Sequence, residues 1–167
     1  MNNINDYACP QILKDFLFYM LTIKGRSQRT VDAYYIDLRL FLRYLKATRL
    51  GLSLTEPNLA DISIEDVSNE MICSVTLSEV YGFLNFVQTA NENNARTRSR
   101  KVSSLRSFYN YLTAKAGLME VSPLKDLETP SQRKSLPKYL SLEESLQLLQ
   151  AVDGPTPLKE RDYCIIT

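Results

Sequence analysis

Residues 92–117 read ENNARTRSRKVSSLRSFYNYLTAKAG, and the two faces of this stretch decide how the rest of the chain is read. After Glu92 it carries six basic side chains, with no acid until Glu120, in a chain whose formal net charge is only +1. At 100° per residue, Leu105, Phe108, Tyr109, Leu112 and Ala116 cluster on one side, with Val102 flanking them. Roughly opposite lie Arg96, Arg100, Ser103 and Ser107, spaced i, i+4, i+7, i+11. The first face suits a core. The second combines long cations with small hydroxyls, so a phosphate backbone could approach closely and find both charge and hydrogen-bond donors. Arg98 and Lys101 point nearer the core side, but they sit at the helix start and are expected to reach round to solvent. Arg106 lies on the border. The spacing predicts a long helix from Asn94 to about Ala116, ended by Gly117.

A solvated helix face is the plain alternative for any charge run. Two features weigh against it here. The run lacks the acidic i±4 partners that solvating faces carry. Charge is also segregated along the chain: residues 24–49 hold seven cations against two acids, residues 50–92 hold acids only, and residues 94–117 hold bases only. A neutral total can hide a bipolar domain, and its basic side attracts polyanions. The major groove, about 12 Å wide, admits a helix of this kind.

The bulk composition closes off other functions. At 167 residues, 44% hydrophobic and 23% charged, the chain can bury a core and lacks the profile of disorder. It contains no histidine, which removes histidine triads, histidine general bases and nearly all catalytic zinc arrangements. Cys9, Cys73 and Cys164 are widely spaced and form no CxxC pair, so they read as reduced cytosolic thiols, not as a disulfide frame or metal site. No apolar run approaches the ~20 residues that span a bilayer, and MNNINDYACPQ lacks a basic-then-apolar signal. No cofactor, metal, membrane or small-molecule substrate is expected.

Upstream, Pro10 to Lys24 has helical spacing through Ile12, Leu13, Phe16, Leu17 and Met20, and Gly25 suits its end. Ser27 is the expected N-cap of a second helix reaching about Thr48, with an apolar stripe of Val31, Tyr34, Tyr35, Leu38, Phe41, Leu42 and Leu45. Arg39, Arg43 and Lys46 form a separate ridge on that helix. GLSLTEPNLADI reads as a turn-rich connector. SIED (Ser63, Asp66) and TLSE (Thr76, Glu79) read as capping signatures of a short helix near 64–72 and a longer one near 77–90. Downstream, Pro123, Pro130 and Pro137 argue for an extended linker. SLEE at 141–144 opens a helix through Val152, and ERDYCIIT begins an apolar segment that is expected to be the start of a further unit. Tyr34, Tyr109 and Tyr163 occupy apolar helical positions and read as core residues with a polar tip.

Order and spacing now carry a resemblance. The pattern T-x-x-x-Y-x-x-D-L-x-x-F is present as Thr30, Tyr34, Asp37, Leu38 and Phe41. A second pattern is present as Val102, Ser103, Leu105, Arg106, Phe108, Tyr109, Tyr111 and Leu112. Ser122 and Pro123, then Leu136, Pro137, Leu140, Ser141 and Glu144, then Arg161, Asp162 and Tyr163 to Ile166, follow in turn. Each motif is weak singly, but together they closely resemble the amino-terminal half of tyrosine recombinases, the phage-integrase and Xer-like family.

The resemblance implies an all-α fold, a four- to five-helix orthogonal bundle of the SAM-like core-binding type over residues 1–120. A linker over 121–140 and the start of a catalytic domain over 141–167 would follow. It implies that double-stranded DNA is the partner, clamped between two domains, with other recombinase protomers assembling in the parent protein. The second helix would meet DNA through Arg26, Ser27, Arg29 and Thr30, with Arg39, Arg43 and Lys46 either touching phosphate or solvated. The fourth would use Arg96, Arg98, Arg100, Lys101, Ser103 and Ser107. The family's cutting domain carries arginines, a lysine, histidines or a tryptophan, and a tyrosine nucleophile, and none of that set can be placed here. The chain is therefore expected to bind without cleaving. A stand-alone DNA-binding regulator and a helical protein-interaction module remain open beside this reading.

Overall fold

Capping residues and helix-ending glycines mark out the elements. The computed structural model describes residues 4–54, 56–90, 95–128, 139–152 and 156–166. Among these, eight α-helices form and no strand. Helix α1 (Gln11–Phe18) starts after Pro10 and buries Leu13, Phe16 and Leu17. It widens into a single π turn, Tyr19–Ile23. Gly25, at φ +59°, then lets the Arg26 N–H donate back to the Met20 carbonyl at 3.0 Å, which stops the helix.

Helix α2 (Gln28–Arg49) begins where the Ser27 hydroxyl accepts the Thr30 N–H at 3.3 Å. Three short or medium helices follow: α3 (Glu56–Asp61), α4 (Asn69–Cys73) and α5 (Leu77–Ala90). Helix α6 (Ala95–Ala114) is the basic stretch; Gly117, at φ +63°, allows Leu118 N–H to close on the Leu112 carbonyl at 3.0 Å. The later helices are α7 (Leu142–Gln150) and α8 (Thr156–Ile166).

Helix α2 is the hub: α1, α3, α5 and α6 all pack on it, and α5 also packs on α6. The predicted stripe of α6 is its buried face, with Val102, Leu105, Phe108, Tyr109 and Leu112 all in the core. Phe16 meets Phe108 edge-on at 5.2 Å, and Phe41 meets Phe83 likewise at 5.1 Å, so aromatic pairs join α1 to α6 and α2 to α5. The buried Tyr109 phenol donates to the Ile72 carbonyl at 3.0 Å and ties α6 to α4; burial raises its pKa well above the ordinary value. Tyr7 stacks on Tyr35 at 4.0 Å and donates to Asp32 at 2.5 Å, and burial followed by the Asp32 hydrogen bond pushes its pKa up to about 12.

Several elements differ from the sequence reading. The connector after Gly51 contains α3. Ser63 and Asp66 cap no helix: Ile64–Val67 is a turn, Asp66 is held by Lys46 across 20 residues, and Ser68 caps α4 through the Met71 N–H. The SIED signature carries the shorter Asp where a capping box uses Glu or Gln, and its carboxylate bonds Lys46 instead. Leu124 and Leu127 are buried in the bundle, so its packing extends past residue 121 where a linker was expected. Pro130 and Pro137 lie outside the described residues.

Packing divides the chain into Met1–Gln132 and Arg133–Thr167. In the second unit, Ser141 and Glu144 form the expected capping box. Tyr163, read as a core position, is 48% exposed on α8, because two short helices cannot enclose a core. Among the described residues no helix is long and apolar enough to cross a membrane.

Candidate nucleic-acid interface

The candidate surface has two parts, the start of α2 and the polar face of α6. At the first, Arg26 and Arg29 are exposed, and their guanidinium groups make no ion pair among the described residues. Ser27 and Thr30 bond each other through their hydroxyls at 3.0 Å and spend part of their capacity on the helix cap. On α6, Arg96 and Ser103 are exposed and Arg98 is half-buried. Ser103 donates to the Ser99 carbonyl at 3.0 Å, a bond within the helix that its single O–H would exchange to reach a phosphate oxygen. Met20, itself buried, touches both parts. Its sulfur lies 3.8 Å from the Ser107 hydroxyl, while its carbonyl accepts the Arg26 N–H.

Asp37 reorganises the middle of the surface. This carboxylate is 1% exposed on α2, yet it receives two cations of α6. Lys101 Nζ is 2.9 Å from Oδ1, and Arg100 Nη1 is 2.7 Å from Oδ2. The Ser104 hydroxyl stands 3.4 Å from Oδ2, and Arg100 also donates to the Ala33 carbonyl at 3.2 Å. Buried charge of this kind persists only when paired and hydrogen-bonded.

Lys101 therefore departs from the sequence expectation. Instead of reaching round to solvent, its side chain is 6% exposed and its ammonium is committed to Asp37. It follows the helix period: Lys101 is four residues before Leu105 and seven before Phe108, on the buried side. Arg100 is different, with 43% of its side chain still exposed beside the same carboxylate. One edge of the guanidinium is anchored and the rest faces outward.

The second basic ridge on α2 is also largely committed. Arg43 donates from Nε to the Ile62 carbonyl at 2.9 Å; burial, then the neighbouring Arg39, lowers its pKa. Lys46 reaches both Asp66 oxygens, at 2.7 and 2.8 Å, and the Ser63 carbonyl at 2.9 Å. The hydrogen bond from Lys46 holds the Asp66 carboxyl below its usual range. Arg39 lies over the Tyr35 ring at 5.1 Å. Arg49, unremarked in the sequence, closes the ridge with a two-point pair to Glu79 at 2.9 and 3.2 Å. Arg43, Lys46 and Arg49 fasten α2 to the acidic segment that follows it.

What the sequence reading missed at this surface is Asp37 as a partner. Its signals were a place in the Thr30–Phe41 pattern and an acid on α2 close to the apolar stripe, adjoining Leu38 and three residues from Tyr34. No local pattern says which cations, 63 and 64 residues further on, will meet it.

Comparison with known proteins now bears on the same elements. Residues 13–116, from α1 through the end of α6, match the family described as phage integrase, N-terminal SAM-like domain. The chain belongs to the phage integrase family. Helices α2 and α6, with the Asp37 contact between them, thus lie wholly inside this SAM-like domain. The chain is 48% identical over 158 residues to a tyrosine recombinase XerC of Caldanaerobacter subterraneus, covering 95% of this chain and 44% of that protein. It is 33% identical over 155 residues to a tyrosine recombinase XerD of Listeria monocytogenes, covering 93% and 46%. A Myxococcus xanthus XerC is also 33% identical over 155 residues, with 93% and 44% covered. The chain thus spans less than half the length of these relatives. No solved structure matches it.

Proposed function

We propose that this chain is the DNA-binding half of a site-specific tyrosine recombinase. Helices α2 and α6 face the duplex and position a catalytic domain that begins within residues 141–167. The observation that carries this reading is the split among the cations. Arg43, Lys46, Arg49 and Lys101 are spent on carboxylates or carbonyls inside the protein. Arg26, Arg29 and Arg96 are exposed without an ion pair among the described residues, and Arg100 is only half covered. On α6, Arg96 and Arg100 share their side of the helix with Ser103 and Ser107. Membership of the phage integrase family, and relatives named as tyrosine recombinases, support the same assignment.

In this reading Arg26, Ser27, Arg29 and Thr30 contact backbone at the start of α2. Arg96, Arg98, Arg100, Ser103 and Ser107 line the duplex along α6, mostly through phosphates. Lys101 acts by holding α6 against α2, Arg43 and Lys46 brace the fold, and Arg39 packs on Tyr35 of its own helix. The chain grips DNA and leaves strand cleavage and exchange, with its partner protomers, to the parent protein.

The test is duplex binding by fluorescence anisotropy across a salt series. Replacing Arg26 and Arg29 by Ala, or Arg96 and Arg100 by Ala, should weaken binding at least tenfold, about 1.4 kcal/mol. Helicity should be unchanged, and log K for the parent should fall by ~0.9 per phosphate neutralised. Unchanged affinity in both variants would leave the edge a solvated face. A suicide substrate should give no covalent adduct with this chain, and an adduct would overturn its non-cleaving role.

A further inference from the structure

Next to the Ser107 end of the basic edge, the end of α1 and the later turns of α6 enclose a cleft of about 260 Å³. Its lining includes Tyr19, Lys24, Ser107, Asn110, Tyr111 and Lys115, two cations with hydroxyl and amide donors and no carboxylate. Tyr19 and Tyr111 pack ring to ring at 5.1 Å, and the Lys24 ammonium lies 5.8 Å from the Tyr19 ring centre. Neither lysine makes an ion pair among the described residues. Such a lining suits a singly charged oxyanion, with charge supplied by the lysines and directional bonds by Asn110 and Ser107.

A second observation points to the same place. The π turn at Tyr19–Ile23 closes with Lys24 N–H on the Tyr19 carbonyl at 3.0 Å. In a regular α-helix, residues five apart stand about 140° round the axis from each other. The wider turn brings Lys24 back over Tyr19. Turns of this type are rare and concentrate at functional sites.

Position along α6 then suggests the anion. At 1.5 Å per residue, Asn110 lies about 15 Å along the axis from Arg100, close to the ~12 Å width of the major groove once side-chain reach is included. We propose that the cleft holds one backbone phosphate of bound duplex DNA, on the strand across the major groove from the strand met by Arg96 and Arg100. α6 thereby bridges the groove, cationic at both ends, with Ser103 between them. This inference rests on the DNA-binding reading and adds a second anchor to it.

The test uses the whole 167-residue chain and a labelled duplex, with binding measured against salt. Lys24→Ala with Lys115→Ala should weaken binding about tenfold and make the log K against log[salt] slope shallower by about 0.9, the value for one phosphate. Replacing both lysines by Arg should keep affinity and slope. Asn110→Ala should weaken binding about threefold with the slope unchanged, since it removes a local bond and no charge. On single-stranded DNA of the same sequence, the lysine deficit should vanish.

Wild-type affinity and slope in the double lysine variant would overturn the cleft. So would an Asn110→Ala variant that binds like wild type, because the lysines would then act only as distant charge. An equal lysine deficit on single strands would overturn the cross-groove placement. The arginine pair at 26 and 29 separates the two levels. If those substitutions weaken binding while the lysine pair is neutral, only the cleft fails; if the lysine pair, the 26/29 pair and the 96/100 pair are all neutral, the DNA-binding reading fails with it.

Discussion

Replacing Asp37 by Ala tests the contact that joins α2 to α6. Three groups lose a partner, and burial decides how much each is worth. Lys101, 6% exposed, becomes an uncompensated buried ammonium, which costs about 3–5 kcal/mol. Arg100 is 43% exposed and can turn to water, so its share is at most about 1 kcal/mol. The Ser104 contact, at 3.4 Å, is long and adds little. The expected loss is therefore about 4 kcal/mol, a large part of the 5–15 kcal/mol available to a domain. With a urea slope of about 2 kcal/mol per molar, the midpoint followed by circular dichroism at pH 7 should fall by about 2 M. If the single variant does not fold, Asp37→Leu combined with Lys101→Met supplies the measurement. With both charges removed, most of the stability should return. A midpoint shift below about 0.5 M for Asp37→Ala would refute the reasoning. So would a double variant no more stable than the single one.

Two further outcomes follow from local geometry. A Cβ at Gly82 would lie 2.7 Å from the hydroxyl of the buried Tyr44, so Gly82→Ala should lose about 1 kcal/mol, with overpacking of about 1–3 kcal/mol exceeding the helix-propensity gain of about 1. Adding Tyr44→Phe should restore or exceed wild-type thermal stability; if it does not, the hydroxyl is not the obstacle. Glu79 accepts from Arg49 and from the Thr76 N–H and hydroxyl, and the Arg49 bond leads in holding its carboxyl below the usual range despite partial burial. Its contribution is present above the unfolded-chain value near 4.3 and is lost as pH falls through the lower folded value. Acid titration of stability should therefore flatten in Glu79→Gln, and an unaltered profile would remove Arg49–Glu79 from the account.

The parts of the fold that were legible in the sequence are those written within a few residues. Ser27, Thr76 with Glu79, and Ser141 with Glu144 cap where their spacing said, since a cap bond spans only three positions. The apolar faces of α2 and α6 followed the helical period and are the core. Not every local signal held. Ser63 with Asp66 is a weaker match to the capping pattern than Thr76 with Glu79, and Lys46 holds its carboxylate. Leu124 and Leu127 sit in a proline-bearing stretch with no period to reveal that they are buried, and the Leu127 carbonyl accepts from Arg106.

The same division runs through the candidate surface. By itself the sequence determined a helix with an apolar face and a basic face, the segregation of charge along the chain, and a motif order that resembles one family. Helical period and charge are properties of residue order, so they survive without a fold. Only the tertiary structure decided which cations remain available. It assigned Lys101 to a buried carboxylate on another helix, bound Lys46 and Arg49 to the acidic segment, and left Arg26, Arg29 and Arg96 exposed. It also set a π turn against α6 so that Lys24 and Lys115 line one cleft. Electrostatic partners are chosen by distance in space and by burial, and neither quantity exists until the helices have packed.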